Sequence, residues 1–251
     1  MNMRLHNAPR AFTLIELLVV IAIIGILASL SLVAISRVRV RAQVVDAQRQ
    51  MHALHNSINE YRSDTGAYPV SDSVRNAATA SHGDFTFGGS SLDAVFGASG
   101  TWSSNNSEIM AILMDRDKYP NTGAPTANAG HIKNTRQKQY LIEVDLSYGT
   151  EGPGLGQDLV YRDPWGNPYI ISFDLNYDEK CRDALYQKST VSQDTGATGF
   201  NGLQNTSDPS GASDQFEYSG GVMIWSLGPD KRADTSHANL GANKDNVLGW
   251  K

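Results

Sequence analysis

Arg10-Ala11-Phe12-Thr13-Leu14-Ile15-Glu16-Leu17-Leu18-Val19-Val20-Ile21-Ala22-Ile23-Ile24-Gly25-Ile26-Leu27-Ala28 decides how this chain is read. A polar leader, residues 1–11, carries Arg4 and Arg10, and an apolar run over residues 12–35 follows in which Glu16 is the one charged side chain. Residues 17–36 hold no charge. As a helix rising about 1.5 Å per residue they span roughly 30 Å, the thickness of a bilayer's hydrocarbon core. The pattern predicts a membrane-spanning helix. An ordinary secretory signal has an apolar region of about 7–15 residues that ends in a small-x-small cleavage site. The nearest candidate here, Leu32-Val33-Ala34, fits that poorly. Arg37, Arg39 and Arg41 lie just beyond the run, so arginines flank it on both sides and charge counting assigns no orientation.

Glu16 needs a reason to be there. A carboxylate in a membrane segment costs about 2.5–3.5 kcal/mol at mid-bilayer and less near the interface, so it implies a partner or a role. One reading is an interfacial side chain reaching for water. Another follows from a cut after Ala11, which makes Phe12 a new N-terminus. Its ammonium has the charge and size to pair with Glu16 of an adjacent subunit and so fix the register of packed helices.

The quoted string resembles the signal of type IV prepilins and of the pseudopilins of type II secretion systems. That resemblance implies cleavage between Ala11 and Phe12 by a membrane aspartyl peptidase, N-methylation of Phe12, and an assembly role for Glu16, fifth in the mature chain. Ala11 stands where the family usually has glycine. The resemblance also implies a single pass through the bacterial inner membrane with the C-terminal part in the periplasm, then a periplasmic filament. The implied partners are copies of the chain, other pseudopilins, the prepilin peptidase, the inner-membrane assembly platform and the lipid bilayer.

Past the span, Val40, Val44, Ala47, Met51, Leu54, Ile58 and Tyr61 recur at spacings of four and three. They make one apolar face of a continuing helix, able to pack on a sheet. Gly66 and Pro69 supply its stop. The string from Tyr61 to Pro69 is also similar to pseudopilins. The expected layout is therefore a leader over 1–11, a transmembrane or filament-core helix over 12–36, its amphipathic continuation over 37–66 and a globular domain over 67–251. The fold class is α+β, a long helix on a small antiparallel sheet with long loops. His52 and His55 stand one turn apart without a third ligand at recognisable spacing, which favours surface or packing histidines over a metal pair.

Residues 70–157 are rich in Ser, Ala, Asn and Gly and read as an elaboration of the common scaffold. Within them Asn105, with Glu108 three residues on, predicts a capped helix through Ile109, Ile112 and Leu113, and residues 140–144 predict a strand. Asp163-Pro164-Trp165-Gly166 has the residues of a type I turn. Strands are expected over residues 169–173 and 222–226, with a long surface loop over 195–221 between them. The turn and the segment from Ile224 to Asp230 resemble the major pseudopilin of type II secretion. In that family the C-terminal loop binds calcium, which implies Leu227, Asp230, Asp245 and Asn246 as ligands here, with Asp234 a further nearby oxygen source. Oxygen donors of this kind are what Ca²⁺ prefers. Lys231 and Arg232 follow Asp230, and Asn246 stands where an aspartate is usual.

The remaining chemistry is sparse. The net charge of −5 gives no reason to expect nucleic-acid binding, and the arginines after the span suit lipid phosphates. Cys181 is the one cysteine, which forbids an internal disulfide. No nucleophile elbow, zinc-binding His-Glu-x-x-His helix, phosphate loop or Cys-x-x-Cys pair is present, and Asp174, Asp178 and Asp183 read as solvated surface acids. The chain is thus expected to be no enzyme but a subunit of a type II secretion pseudopilus, polymerising through its N-terminal helix to drive protein export. The alternatives are a type IV pilin for adhesion, motility or DNA uptake, and a membrane-anchored periplasmic enzyme or binding module.

Overall fold

The computed structural model describes residues 12–79, 83–88, 102–103, 105–142, 144–147 and 149–251 and, of residues 30–34, 36, 102 and 103, the backbone alone. The expected leader, Ala11 included, lies outside the described residues. In chain order the elements are α1 (Leu14–Thr65), α2 (Asp72–Thr79), β1 (Asp84–Phe87), β2 (Trp102–Ser103), α3 (Ser107–Leu113), β3 (Gly154–Leu155), β4 (Tyr161–Arg162), β5 (Ile170–Asp174), β6 (Lys180–Cys181), α4 (Ser189–Ser192), β7 (Gln193–Thr195), β8 (Thr198–Gly199), β9 (Tyr218–Ser219), β10 (Val222–Ser226) and β11 (Val247–Leu248). The chain divides into two compact units, one reaching to Ala42 and the other Gln43–Lys251.

In the first unit α1 presents Leu14, Ile15, Leu17, Ile21 and Ile26 more than half exposed. Among the described residues no helix is long and apolar enough to cross a membrane. The span expected over 12–36 includes the side chains of 30–34 and 36, which lie outside the described set.

In the second unit the expected stripe is the inner face of the helix. Ala47, Met51, Leu54, Ile58 and Tyr61 are buried and Val44 is half-buried, whereas Val40, in the first unit, is 40% exposed. Each fully buried Leu, Ile or Met contributes about 1.5–3 kcal/mol. The helix stops as predicted: Gly66 takes φ +74° and its N–H donates to the Arg62 carbonyl at 2.8 Å.

The sheet these residues cover has the strand order β11-β10-β5-β1-β2. The two predicted central strands pair antiparallel, with Ile224 opposite Ile171 and Val222 opposite Phe173. β1 pairs antiparallel with β5, but β1 and β2 run parallel, so the expected antiparallel sheet is mixed at one edge. Both central strands are buried along their whole length. Phe173, Val222 and Ile224 face the α1 cluster, while Ile170, Met223 and Trp225 join a second cluster with Cys181, Leu185, Tyr186, Leu203 and Phe216. An uninterrupted apolar strand such as Val222-Met223-Ile224-Trp225 needs cover on both faces.

That need corrects the surface loop expected over residues 195–221. Leu203, Asn205, Phe216 and Glu217 are buried there, because the segment closes the second face of the sheet. Residues 140–144 were expected to form a strand, and the described ones form none. The N–H groups of Tyr140 and Leu141 turn instead to the carbonyl of Leu113 at the end of α3, at 2.8 and 3.4 Å. α3 itself forms, but its start differs from the predicted capping box. Asn105 Oδ1 accepts from the Ser107 N–H (3.1 Å) and hydroxyl (2.7 Å), while Glu108 reaches away to accept the Ser71 N–H at 2.5 Å.

Candidate functional site

The predicted processing and assembly residues sit at the start of α1. Phe12 is 74% exposed and directly precedes Thr13, whose side chain opens the helix. The Thr13 N–H and Oγ1–H both donate to Glu16 Oε2, at 2.8 and 2.7 Å, and the Glu16 N–H donates back to Thr13 Oγ1 at 3.3 Å. This reciprocal arrangement is a capping box, in which a hydroxyl and a carboxylate three residues apart satisfy donors the first helical turn leaves open. The carboxylate also complements the positive end of the helix dipole. Reasoning from the sequence gave Glu16 an intermolecular partner and missed Thr13. The signal was legible in Thr13-Leu14-Ile15-Glu16, an instance of the Thr-x-x-Glu pattern before an apolar run.

The predicted calcium ligands converge at the far end of the chain. Asp230 donates its N–H to Asp245 Oδ2 at 3.2 Å, which brings the two carboxylate loops together. Gly228 makes the approach feasible. It has φ +70°, and a Cβ there would meet the Asp245 carbonyl oxygen at 2.2 Å. Burial first, and then the Asp230 charge, pushes the Asp245 carboxyl up from its ordinary value. Beside it Asn246 donates to the Tyr186 hydroxyl at 3.0 Å, while its Oδ1 is buried without a donor. Leu227 is fully buried with its side chain in the second core cluster. Asp245 Oδ2 and Asp230 Oδ1 thus each accept a backbone N–H, and Asn246 Oδ1 is the acceptor left without a donor. Among the described residues no group of three or more His, Cys, Asp or Glu side chains gathers, so an ion here would rest largely on neutral oxygens. Asp234 is not part of the set; its Oδ1 accepts the Ser236 N–H at 2.8 Å, and its own N–H goes to Asn243. Asp230 Oδ1 similarly takes the Arg232 N–H at 2.9 Å.

The Asp-Pro-Trp-Gly turn holds this loop from below. Gly166 donates to the Asp163 carbonyl at 2.9 Å, closing the turn as predicted. The fully buried Asp163 carboxylate accepts from the Trp165 and Asn167 N–H groups (both 2.9 Å), Asn167 Nδ2 (2.8 Å) and the Ser226 hydroxyl (2.5 Å). Asn167 Nδ2 also donates to the Gly228 carbonyl at 3.0 Å. One buried aspartate therefore ties the turn to β10 and, through Asn167, to the backbone beside Asp230.

Of the acids read as solvated surface, only Asp178 is exposed. Asp183 is buried because four donors satisfy it: Ser172 Oγ (2.7 Å), Trp225 Nε1 (2.9 Å) and the N–H groups of Leu185 and Tyr186. Asp174 is fully buried and accepts the N–H groups of Asp178 (3.3 Å) and Glu179 (2.9 Å). Both are structural acids: the donors to Asp174 come from the turn that follows it, and those to Asp183 come half from its own turn and half from Ser172 and Trp225 on the central strands. His52 is exposed and His55 half-buried, the latter 3.2 Å from Asn59 Nδ2, in keeping with surface and packing roles.

Residues 7–32 match the family of the prokaryotic N-terminal methylation motif. The chain is 36% identical over 81 residues to the fimbrial protein EcpC of Eikenella corrodens, covering 32% of this chain and 53% of that protein. It is 35% identical over 77 residues to the type IV major pilin protein PilE of Neisseria gonorrhoeae, covering 31% and 46%. With a fimbrial protein of Moraxella nonliquefaciens it shares 50% over 56 residues, 22% and 36% of the two chains. The chain thus spans about half the length, or less, of the curated relatives it matches. No solved structure matches. In its N-terminal methylation motif, and over the part it shares with these fimbrial proteins, the chain is similar to the type IV pilins.

Proposed function

We propose that the chain is a structural subunit of a bacterial filament, cleaved by prepilin peptidase between Ala11 and Phe12, N-methylated at Phe12 and anchored once in the inner membrane by residues 12–36. The periplasmic side then carries residues 43–251, and the same anchors pack as the filament core when subunits leave the bilayer. The observation behind this reading is the placement of Phe12, the Thr13–Glu16 capping box and the charge-free residues 17–36 in one unbroken stretch. Both Thr13 bonds land on Glu16 Oε2. Oε1 is then the oxygen that takes the ammonium of Phe12 of the partner subunit, replacing lost hydration with an ion pair in a medium of low dielectric. The function is mechanical, with self-assembly as its only reaction after processing. Mass spectrometry of the native chain tests it: the mature form should begin at a monomethylated Phe12, and an intact leader on membrane-extracted protein would overturn the proposal.

The relatives are fimbrial proteins and type IV pilins, so a pilus subunit for adhesion, motility or DNA uptake becomes the first reading and the secretion pseudopilin the second. Two observations keep the second. Cys181 is the one cysteine and is buried, so the C-terminal disulfide usual in type IV pilins has no counterpart. The Asp163 turn is tied directly to the C-terminal loop. On the pseudopilin reading the partners are the other pseudopilins and the inner-membrane platform, and the fibre pushes folded proteins outward. The C-terminal loop would hold calcium through the Leu227 carbonyl, Asp230, Asp245 and Asn246, with the ion's charge offsetting the burial and the Asp230 charge that raise Asp245. Melting of the full chain in detergent should drop on adding a chelator and recover with calcium. An unchanged midpoint removes the site.

A further inference from the structure

Arg37, Arg39 and Arg41 on α1 have no part in the processing or assembly of the filament described above. They begin where the charge-free residues 17–36 end, and they are the only charged side chains between Glu16 and Asp46. All three are exposed, and among the described residues none of them makes a hydrogen bond or an ion pair. The nearest acid along the helix, Asp46, is already bonded to Arg49 at 2.9 Å.

Helical spacing decides what can satisfy them. At 3.6 residues per turn Arg37 and Arg41 share one flank of α1, and Arg39, two residues from each, lies on the opposite flank. Val38 and Val40 stand between them, 66% and 40% exposed, so cationic and apolar side chains alternate around the girth of the helix. A protein partner docked on one flank leaves the cation on the other unmatched. A lipid headgroup layer encircles the helix, with phosphates for the guanidinium forks and glycerol and acyl carbons for the valines and the arginine stems. The height also agrees. Residues 17–36 rise about 30 Å, so with Glu16 at one face of the hydrocarbon core Arg37 emerges at the other. The four residues from Arg37 to Arg41 add about 6 Å, the depth of a headgroup region.

With residues 12–36 as the anchor proposed above, we infer that Arg37, Arg39 and Arg41 form a collar that binds anionic phospholipid headgroups and sets the depth of α1 in the bilayer. Each cation near an anionic lipid surface strengthens association about fivefold, and salt screens the gain.

The test is native mass spectrometry of the full chain released from micelles that hold equal amounts of phosphatidylglycerol and phosphatidylcholine. Every form carries Arg4→Gln and Arg10→Gln, so that the leader adds no charge. The chain should retain phosphatidylglycerol over phosphatidylcholine by about fivefold or more, with the ratio falling toward one as ammonium acetate is raised. Arg37→Gln, Arg39→Gln and Arg41→Gln together should bring the ratio to one, and lysine at the same three positions should keep most of it. Flotation with phosphatidylcholine vesicles checks the anchor by itself. A chain that does not float overturns both the anchor and the collar, whereas one that floats and retains the two lipids equally overturns the collar alone. A preference that survives the triple glutamine variant overturns it too, as do dimers that this variant loses while its lipid retention is unchanged, since the arginines then meet a second copy. Should that variant fold poorly, the salt series of the parent decides: a ratio independent of salt overturns the collar.

Discussion

Replacing Asp84 with Asn should flatten the pH dependence of the second unit's stability. Asp84 opens β1, stands opposite Asp174 of β5 and is 8% exposed. Its Oδ2 accepts the Arg182 N–H at 3.0 Å, whereas its Oδ1 has no donor. Burial, assisted by the charges of Asp174 and Asp178 and opposed by the Arg182 N–H and charge, pushes this carboxyl from 3.8 up to about 8. Between those limits the folded chain binds a proton that the unfolded chain has released, so stability is fully present below the lower limit and drains as pH rises toward the upper one. The slope is about 1.4 kcal/mol per pH unit, and over some four units it approaches about 5 kcal/mol, a large part of what a domain has. Asp174, opposite Asp84, is also raised, by burial first, so the two carboxyls oppose each other's ionisation. Urea unfolding followed by tryptophan fluorescence at several pH values would measure this. Asp84→Asn should gain on the parent by about 1 kcal/mol for each unit between about pH 5 and about pH 8. Parallel profiles for the two proteins would refute the reasoning.

Two further outcomes follow from single contacts. Thr13→Ala removes both the hydroxyl that donates to Glu16 and its acceptor for the Glu16 N–H, so α1 should fray at its start by about 1 kcal/mol. Hydrogen exchange of the first-turn amides should quicken several-fold, and Thr13→Ser should restore protection. Cys181 is buried, and burial together with the charges of Asp84, Asp183 and Asp174 pushes its thiol well up, so a thiol reagent should leave the native chain unlabelled at mildly alkaline pH and label it fully in guanidinium. Rapid labelling of the folded protein would show that the second core cluster opens.

The legible parts of the chain are those whose cause is local. The α1 stripe from Ala47 to Tyr61, its Gly66 stop, the Asp163 turn and the two apolar central strands all declare themselves through spacing or turn chemistry, and each is found where the pattern puts it. The features that escaped are set by distant partners. Nothing near Tyr140 says that its N–H will cap α3, and nothing near Phe216 says that Met223 and Trp225 need a cover. Asp183 read as a loop acid because an isolated carboxylate is usually solvated, yet it is satisfied in part by Ser172 and Trp225 on two strands. The N-terminal string singles out Phe12 and Glu16 as the residues proposed for processing and assembly. The Thr13 contact with Glu16 was legible there too, as a Thr-x-x-Glu capping pattern, and went unread.

The central claim, that Glu16 at the head of an apolar helix orders subunits into a filament, meets its most direct test in electron microscopy of filaments from cells making the parent chain or Glu16→Ala. Both proteins should be inserted and processed, and only the parent should yield filaments. Abundant filaments of normal appearance from Glu16→Ala would contradict it.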